Sequence, residues 1–174
     1  ITAISFGNEK VARKDHWRLA VCGLFGVATN QILFFEGLNI TSPINAAVIM
    51  TTNPILVLVM SALILKESLK WSRVLGITLG IAGALFLITR GGTVIDIFDS
   101  GKSLGNLLVF FNAASYAAYL VIVKPLMANY KAITVIKWVF LYGLFIVLPF
   151  GGSQLMEVQW AAFPVDIIWK VAFV

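Results

Sequence analysis

The sequence predicts an all-α fold, a polytopic bundle of membrane-spanning helices. Three observations predict it. The chain carries too few charges to cover a water-facing surface, it holds five apolar runs of membrane-crossing length, and its Lys and Arg residues alternate between connections. Of 174 residues, 60% are hydrophobic and 12% charged, with a mean hydropathy of +0.94. A soluble domain carries about 25% charged residues, so lipid is the expected solvent.

A membrane-crossing helix needs roughly 20 mostly apolar residues. The runs that qualify are Leu19–Leu38, Ile44–Leu65, Trp71–Thr89, Leu104–Val123 and Ile133–Phe150. Turn chemistry marks the connections: Asn39 to Pro43, Lys66 to Lys70, Gly91-Gly92 to Gly101, and Gly151-Gly152 to Pro164. Residues 1–7 read as the end of an earlier span and residues from Ile167 as the start of a later one. The chain is therefore expected to be the middle of a longer protein.

Ten of the 13 Lys and Arg residues fall on one side of this series. They are Lys10, Arg13, Lys14 and Arg18 before the first run, Lys66, Lys70 and Arg73 after the second, and Lys124, Lys131 and Lys137 after the fourth. Arg90, Lys102 and Lys170 fall on the other side. Short loops rich in Lys and Arg stay in the cytoplasm, so the loops 8–18, 66–73 and 124–137 are expected there. The net charge of +5 is thereby a matter of topology. Scattered over three loops without interleaved aromatics, these residues do not make a nucleic-acid surface.

Chemistry-bearing motifs are few. Cys22 and His16 are the only residues of their types, which excludes an internal disulfide framework, a multi-cysteine metal cluster and a histidine-rich metal site. A phosphate-binding G-x-x-x-x-G-K-[ST] loop and an H-E-x-x-H motif are absent. His16 lies in a basic loop, and Asp96, Asp99 and Asp166 lie in the opposite loops, so no Ser-His or Cys-His pair or intramembrane aspartate pair is present. No catalytic residue, cofactor or metal is expected.

Polar residues inside spans are costly in hydrocarbon and mark candidate interior positions. On the fourth run Asn112, Ser115, Tyr116 and Tyr119 follow i, i+3, i+4, i+7 spacing and share one helical face. Two readings are open: a wet cavity wall, or hydrogen bonding to a neighbouring helix brought close by Ala113 and Ala117. The first run carries Asn30, Gln31 and Glu36. Glu36, a turn from the outer end, is either a proton-titrating or cation-pairing group or a solvated interface residue. On the second run Asn45 and Thr52 share a face, and Thr51, Asn53 and Pro54 lie near the middle. Pro54 is expected to bend the helix and free the carbonyl of Met50, with either a cavity or a plain kink as the outcome. Gly76, Gly80 and Gly83 on the third run form a small-residue face expected to pack closely on another helix. Pro149 is expected to end the fifth helix. Glu67 is expected to pair with Lys66, Lys70 or Arg73.

The second and third runs resemble a known family. Asn39-Ile40-Thr41-Ser42-Pro43-Ile44-Asn45-Ala46-Ala47 leads into Asn53-Pro54-Ile55-Leu56-Val57, then Ile64-Leu65-Lys66-Glu67-Ser68-Leu69, then Gly76-Ile77-Thr78-Leu79-Gly80-Ile81-Ala82-Gly83. The order and spacing are similar to the EamA-type branch of the drug/metabolite transporter superfamily, and Gly105 through Lys124-Pro125-Leu126 resembles the opening helix of that family's second repeat. The resemblance implies ten helices built as two inverted five-helix repeats around a central cavity. On that template residues 1–92 are the C-terminal part of the first repeat and 93–174 the N-terminal part of the second. It further implies a secondary-active exporter of small metabolites such as amino acids, working by alternating access at a midplane site, in a bacterial inner (plasma) membrane. The partners implied are the lipid bilayer and a small-molecule substrate; a homodimer is left open.

Overall fold

The computed structural model describes residues 9–68, 70–89 and 100–157, and these form helices with no strand among them. The expected partial spans at the two ends, and Arg90 and Lys170, lie outside the described residues. In hydrocarbon each backbone N–H and C=O must find its partner within the protein, which restricts apolar runs of this length to helix.

Five helices result. Helix α1 runs Arg13–Ile40 and α2 runs Pro43–Leu65. Helix α3 is Trp71–Thr89, and a 3₁₀ turn at Ser100–Lys102 leads into α4, Ser103–Asn129. Helix α5 is Ala132–Glu157. Four of them, α1, α2, α4 and α5, are long and apolar enough to cross a membrane. Large apolar side chains such as Phe35, Phe140 and Phe145 are exposed, as lipid-facing positions are.

Local chemistry sets the boundaries. At the α1–α2 corner Thr41 is extended, Ser42 caps the next helix by accepting from the Asn45 N–H at 3.1 Å, and Pro43 occupies the first turn. Helix α2 is interrupted: it is helical over Pro43–Met50 and again over Asn53–Leu65, with Thr51 and Thr52 forming a turn between. Pro54, which cannot donate to the Met50 carbonyl, sits in the first turn of the second half, where its missing N–H matters least. At the far end Lys66 adopts a left-handed conformation, φ 54°, which turns the chain sharply out of α2.

Two expectations are corrected here. Pro149 does not end α5; it lies inside a helix that continues through Gly151 and Gly152 to Glu157. A continuing helix pairs most of its own carbonyls, whereas a stop at that depth would leave them without partners. Likewise Lys124 and Lys137 lie within α4 and α5, and the connection between these helices narrows to Tyr130 and Lys131.

Helix α4 is the hub. It packs along α1 and both halves of α2, while α5 packs mainly on the first half of α1. Glycines make the tightest of these approaches. A Cβ on Gly105 would lie 2.7 Å from the Thr41 backbone nitrogen, and one on Gly37 2.8 Å from Val109 Cγ2. At the other end of α1, a Cβ on Gly23 would lie 2.8 Å from the Gly143 nitrogen of α5. By contrast, no described atom lies within 4 Å of the Cβ positions of Gly76, Gly80 or Gly83. The face expected to be a close helix contact is open among the described residues.

The basic ends gather at one end of the bundle. Here Leu19, Cys22, Val123, Leu126, Val135 and Val139 form a buried cluster joining α1, α4 and α5. Around it the Tyr130 hydroxyl donates to Asp15 Oδ2 at 2.7 Å, and the Lys131 N–H donates to Glu9 Oε2 at 3.1 Å. Glu67 pairs with Lys124 of α4 and accepts from the Ser61 hydroxyl at 2.9 Å. Its ion-pair contact is with Lys124 rather than with Lys66 or Lys70, while Arg73, the third partner expected, acts on it through its charge.

Two outcomes follow. Gly105→Ala lowers thermal stability by about 1–3 kcal/mol, since the obstructing atoms are backbone and cannot yield; melting of the detergent-solubilised protein measures it. Lys124 and the Ser61 hydroxyl, with Arg73 nearby, hold the Glu67 carboxyl below the usual carboxylate range. Its stabilising contribution is therefore present at neutral pH and lost as pH falls through the lowered pKa. Melting curves at neutral and acid pH converge for Glu67→Gln and the parent in acid, and separate at neutrality.

Candidate functional site

The polar face of α4 meets a defect in α1. Residues Leu24–Ala28 form a single π-helical turn within α1, a feature that widens the helix and misaligns its carbonyls. Two α4 side chains reach carbonyls of α1 here, one within the turn and one just beyond it. The Ser115 hydroxyl donates to the Phe25 carbonyl at 2.6 Å, and Asn112 Nδ2 donates to the Asn30 carbonyl at 2.6 Å. Both side chains are buried. Asn112 Oδ1 is enclosed and has no hydrogen-bond partner. Tyr119 lies over the same turn, its ring so close to Gly26 that a Cβ there would fall 2.6 Å from Tyr119 Cγ. Tyr116 is more exposed, with its ring centroid 6.0 Å from that of Tyr119.

The other residues singled out in the spans fall in three further places. Asn45 is fully buried where α2 begins, donating from Nδ2 to Thr41 Oγ1 at 3.3 Å, while the Thr41 hydroxyl donates to Asn106 Oδ1 of α4. At the interruption of α2, the Thr51 and Thr52 hydroxyls donate to the carbonyls of Val48 and Ile49 at 2.6 and 2.7 Å. The turn thus satisfies backbone groups locally. Thr51, Asn53 and Pro54 border a cavity of about 510 Å³ whose other wall is Gly76, Ile77 and Gly80 of α3. Gln31 and Glu36 are exposed on α1, away from these groups.

A larger cavity, about 570 Å³, lies between α1, the second half of α2 and α4. Phe25 and Thr29 bring it against the π-helical turn, Met60 and Ile64 form the α2 wall, and Phe111, Ser115 and Ala118 form the α4 wall. Its surface is almost wholly apolar, with Thr29 and Ser115 supplying the hydroxyls. Of the residues selected from sequence only Ser115 lines it. Thr29 was detectable as a polar neighbour of Asn30; Met60 and Ala118 carry no local signal, because only the tertiary packing brings them there.

Sequence reasoning also missed a cluster at the basic end. His16 Nδ1 lies 2.8 Å from the Tyr142 hydroxyl, and the His16 ring meets Trp138 edge-on with centroids 4.7 Å apart. The partners are more than a hundred residues away in the chain, beyond any local pattern. Among the described residues no three His, Cys, Asp or Glu side chains gather as a metal site would require.

The seam makes a measurable prediction. Removing either donor leaves a buried carbonyl without its interhelical partner, so Asn112→Ala and Ser115→Ala each cost about 0.5–1.5 kcal/mol. Thermal melting in detergent reads this out.

Known proteins show the same pattern. A family model described as EamA-like transporter family matches residues 1–89. The uncharacterized transporter YyaM of Bacillus subtilis is 28% identical over 163 residues, covering 92% of this chain and 52% of that protein. YetK of the same organism, also an uncharacterized transporter, is 24% identical, covering 96% of this chain and 50% of its own length. A probable terminal-alkyne amino-acid exporter of Streptantibioticus cattleyicolor is 24% identical, covering 86% and 48%. The chain thus spans about half the length of the curated relatives it matches. No solved structure matches it. By its helices, their apolar surfaces and these relationships, the chain belongs to the EamA-like transporter family.

Proposed function

We propose that this chain forms the middle of a secondary-active transporter that exports small metabolites, amino acids among them, by alternating access. The observation that carries the reading is the 570 Å³ cavity between α1, α2 and α4, set against the π-helical turn of α1. Carriers bind their solutes near the bilayer midplane, beside helices whose regular hydrogen bonding is interrupted. Here α1 is irregular at Leu24–Ala28, against the cavity, while the interruption of α2 at Thr51–Thr52 lies further along that helix, beside the smaller cavity. The lining is apolar with two hydroxyls, which suits a small solute with a substantial apolar part.

The repeat boundary falls between α3 and α4, with residues 1–92 and 93–174 belonging to two inverted five-helix halves of the complete protein. The gathered basic end, with loops 8–18, 66–73 and 124–137, faces the cytoplasm of a bacterial inner membrane, as its Lys and Arg content favours. Glu36, exposed on α1, is the carboxylate available for coupling to protons.

The test is reconstitution of the full-length protein in vesicles with a panel of amino acids and related solutes. Saturable flux is expected, whereas linear flux marks a pore and no flux contradicts a carrier. Ala118→Trp fills the cavity and abolishes flux while the protein stays folded; undiminished flux removes the cavity from the path. Unchanged pH dependence in Glu36→Gln removes Glu36 from coupling.

A further inference from the structure

We propose that Glu67 and Lys124 form a reversible strap across the basic end of the bundle, and that transport requires it to open. The inference rests on the carrier reading above, which it deepens by naming a positioning pair for the conformational cycle.

The strap joins elements that are distant in sequence. Glu67 lies in the α2–α3 connection and is steered back towards the bundle by the left-handed Lys66. One carboxylate oxygen accepts from Ser61 of α2 at 2.9 Å, and the other meets the Lys124 ammonium of α4. Ser61 therefore fixes the carboxylate on α2, leaving its second oxygen as the contact with α4. Three residues after Ser61 comes Ile64, and six residues before Lys124 comes Ala118; both line the 570 Å³ cavity. The pair thus ties together, on the basic side of the cavity, the two helices that carry its α2 and α4 walls.

Its strength suits a part that must be broken each cycle. The Lys124 and Glu67 side chains are 59% and 34% exposed, so water and salt screen their attraction and the pair adds little to stability. A buried pair would be too costly to separate. The α4 side has a point of compliance as well. Pro125 follows Lys124 and cannot donate to the Val121 carbonyl, which weakens the helix at that turn. Beyond it, Tyr130 anchors the end of α4 to Asp15 of α1, so α4 is held to α1 on one side and strapped to α2 on the other.

The experiment uses full-length protein in sealed vesicles of known sidedness, with Ala118→Cys as a reporter; Cys22 is buried. A membrane-impermeant maleimide applied from the basic side reports how often that end opens. Glu67→Gln and Lys124→Gln are each expected to speed labelling by about two- to fivefold, the shift an exposed ion pair commands. The charge-exchanged variant, E67K with K124E, restores the slow rate. Labelling of Glu67→Gln at the parent rate overturns the strap, and so does fast labelling of the charge-exchanged protein. Should the single variants fail to fold, the charge-exchanged protein still decides the matter. Accessibility is read without any solute, so the strap and the carrier reading fail separately: absent saturable flux with the expected labelling refutes only the latter.

Discussion

The demand that every backbone group in hydrocarbon be hydrogen-bonded within the protein governs the rest of this structure. Regular helix meets the demand by itself. Where helix is irregular, something else must supply donors. The π-helical turn of α1 draws one from α4, through Ser115 to the Phe25 carbonyl, and Asn112 adds a second α4 contact just beyond it at Asn30. The interruption of α2 draws them from its own Thr51 and Thr52. The first solution binds two helices together; the second is met within α2 itself. Much of the architecture follows from that difference, with α4 and α1 as a joined pair and α2 as the wall beside them.

The same demand explains where the polar side chains have gone. A hydroxyl or amide donor within a span costs least when paired, and Asn45, Asn112 and Ser115, all buried, each donate to another group. What remains on the surface of the large cavity is apolar save for Thr29 and Ser115. On the proposed carrier reading, a solute entering it exchanges water for lipid-like walls, and its orientation falls to very few polar contacts.

Much of this was legible in the sequence, and the exceptions have physical reasons. The five helices follow from hydropathy and length, because lipid leaves an apolar run no alternative. The polar stripe of α4 follows from i, i+3 spacing, but spacing identifies a face and not what it meets; only packing shows that Asn112 and Ser115 meet carbonyls of α1. Nothing in Leu24–Ala28 announces a π-helical turn, since the turn answers to neighbours on α4 rather than to its own residues. Pro54 announced a disturbance, and the structure shows it as an interruption of the helix at Thr51 and Thr52, whose hydroxyls bond carbonyls one turn back. Pro149 misled, because proline stops helices in water more readily than in lipid. Lys124 as the partner of Glu67 lies 57 residues beyond it, while three nearer basic residues made local pairing the natural expectation.

The glycine contacts of α1 carry a mechanical consequence. Near its C-terminal end Gly37 meets Gly105 of α4, and nearer its middle Gly23 meets Gly143 of α5, backbone nearly against backbone. Interlocked side chains resist tilting because knobs must climb out of holes, but two smooth ridges can roll on one another. Each glycine pair is thus a fulcrum. Helix α1 bears on both, one near its C-terminal end and one nearer its middle, so that rocking about either would displace the rest of its 28 residues.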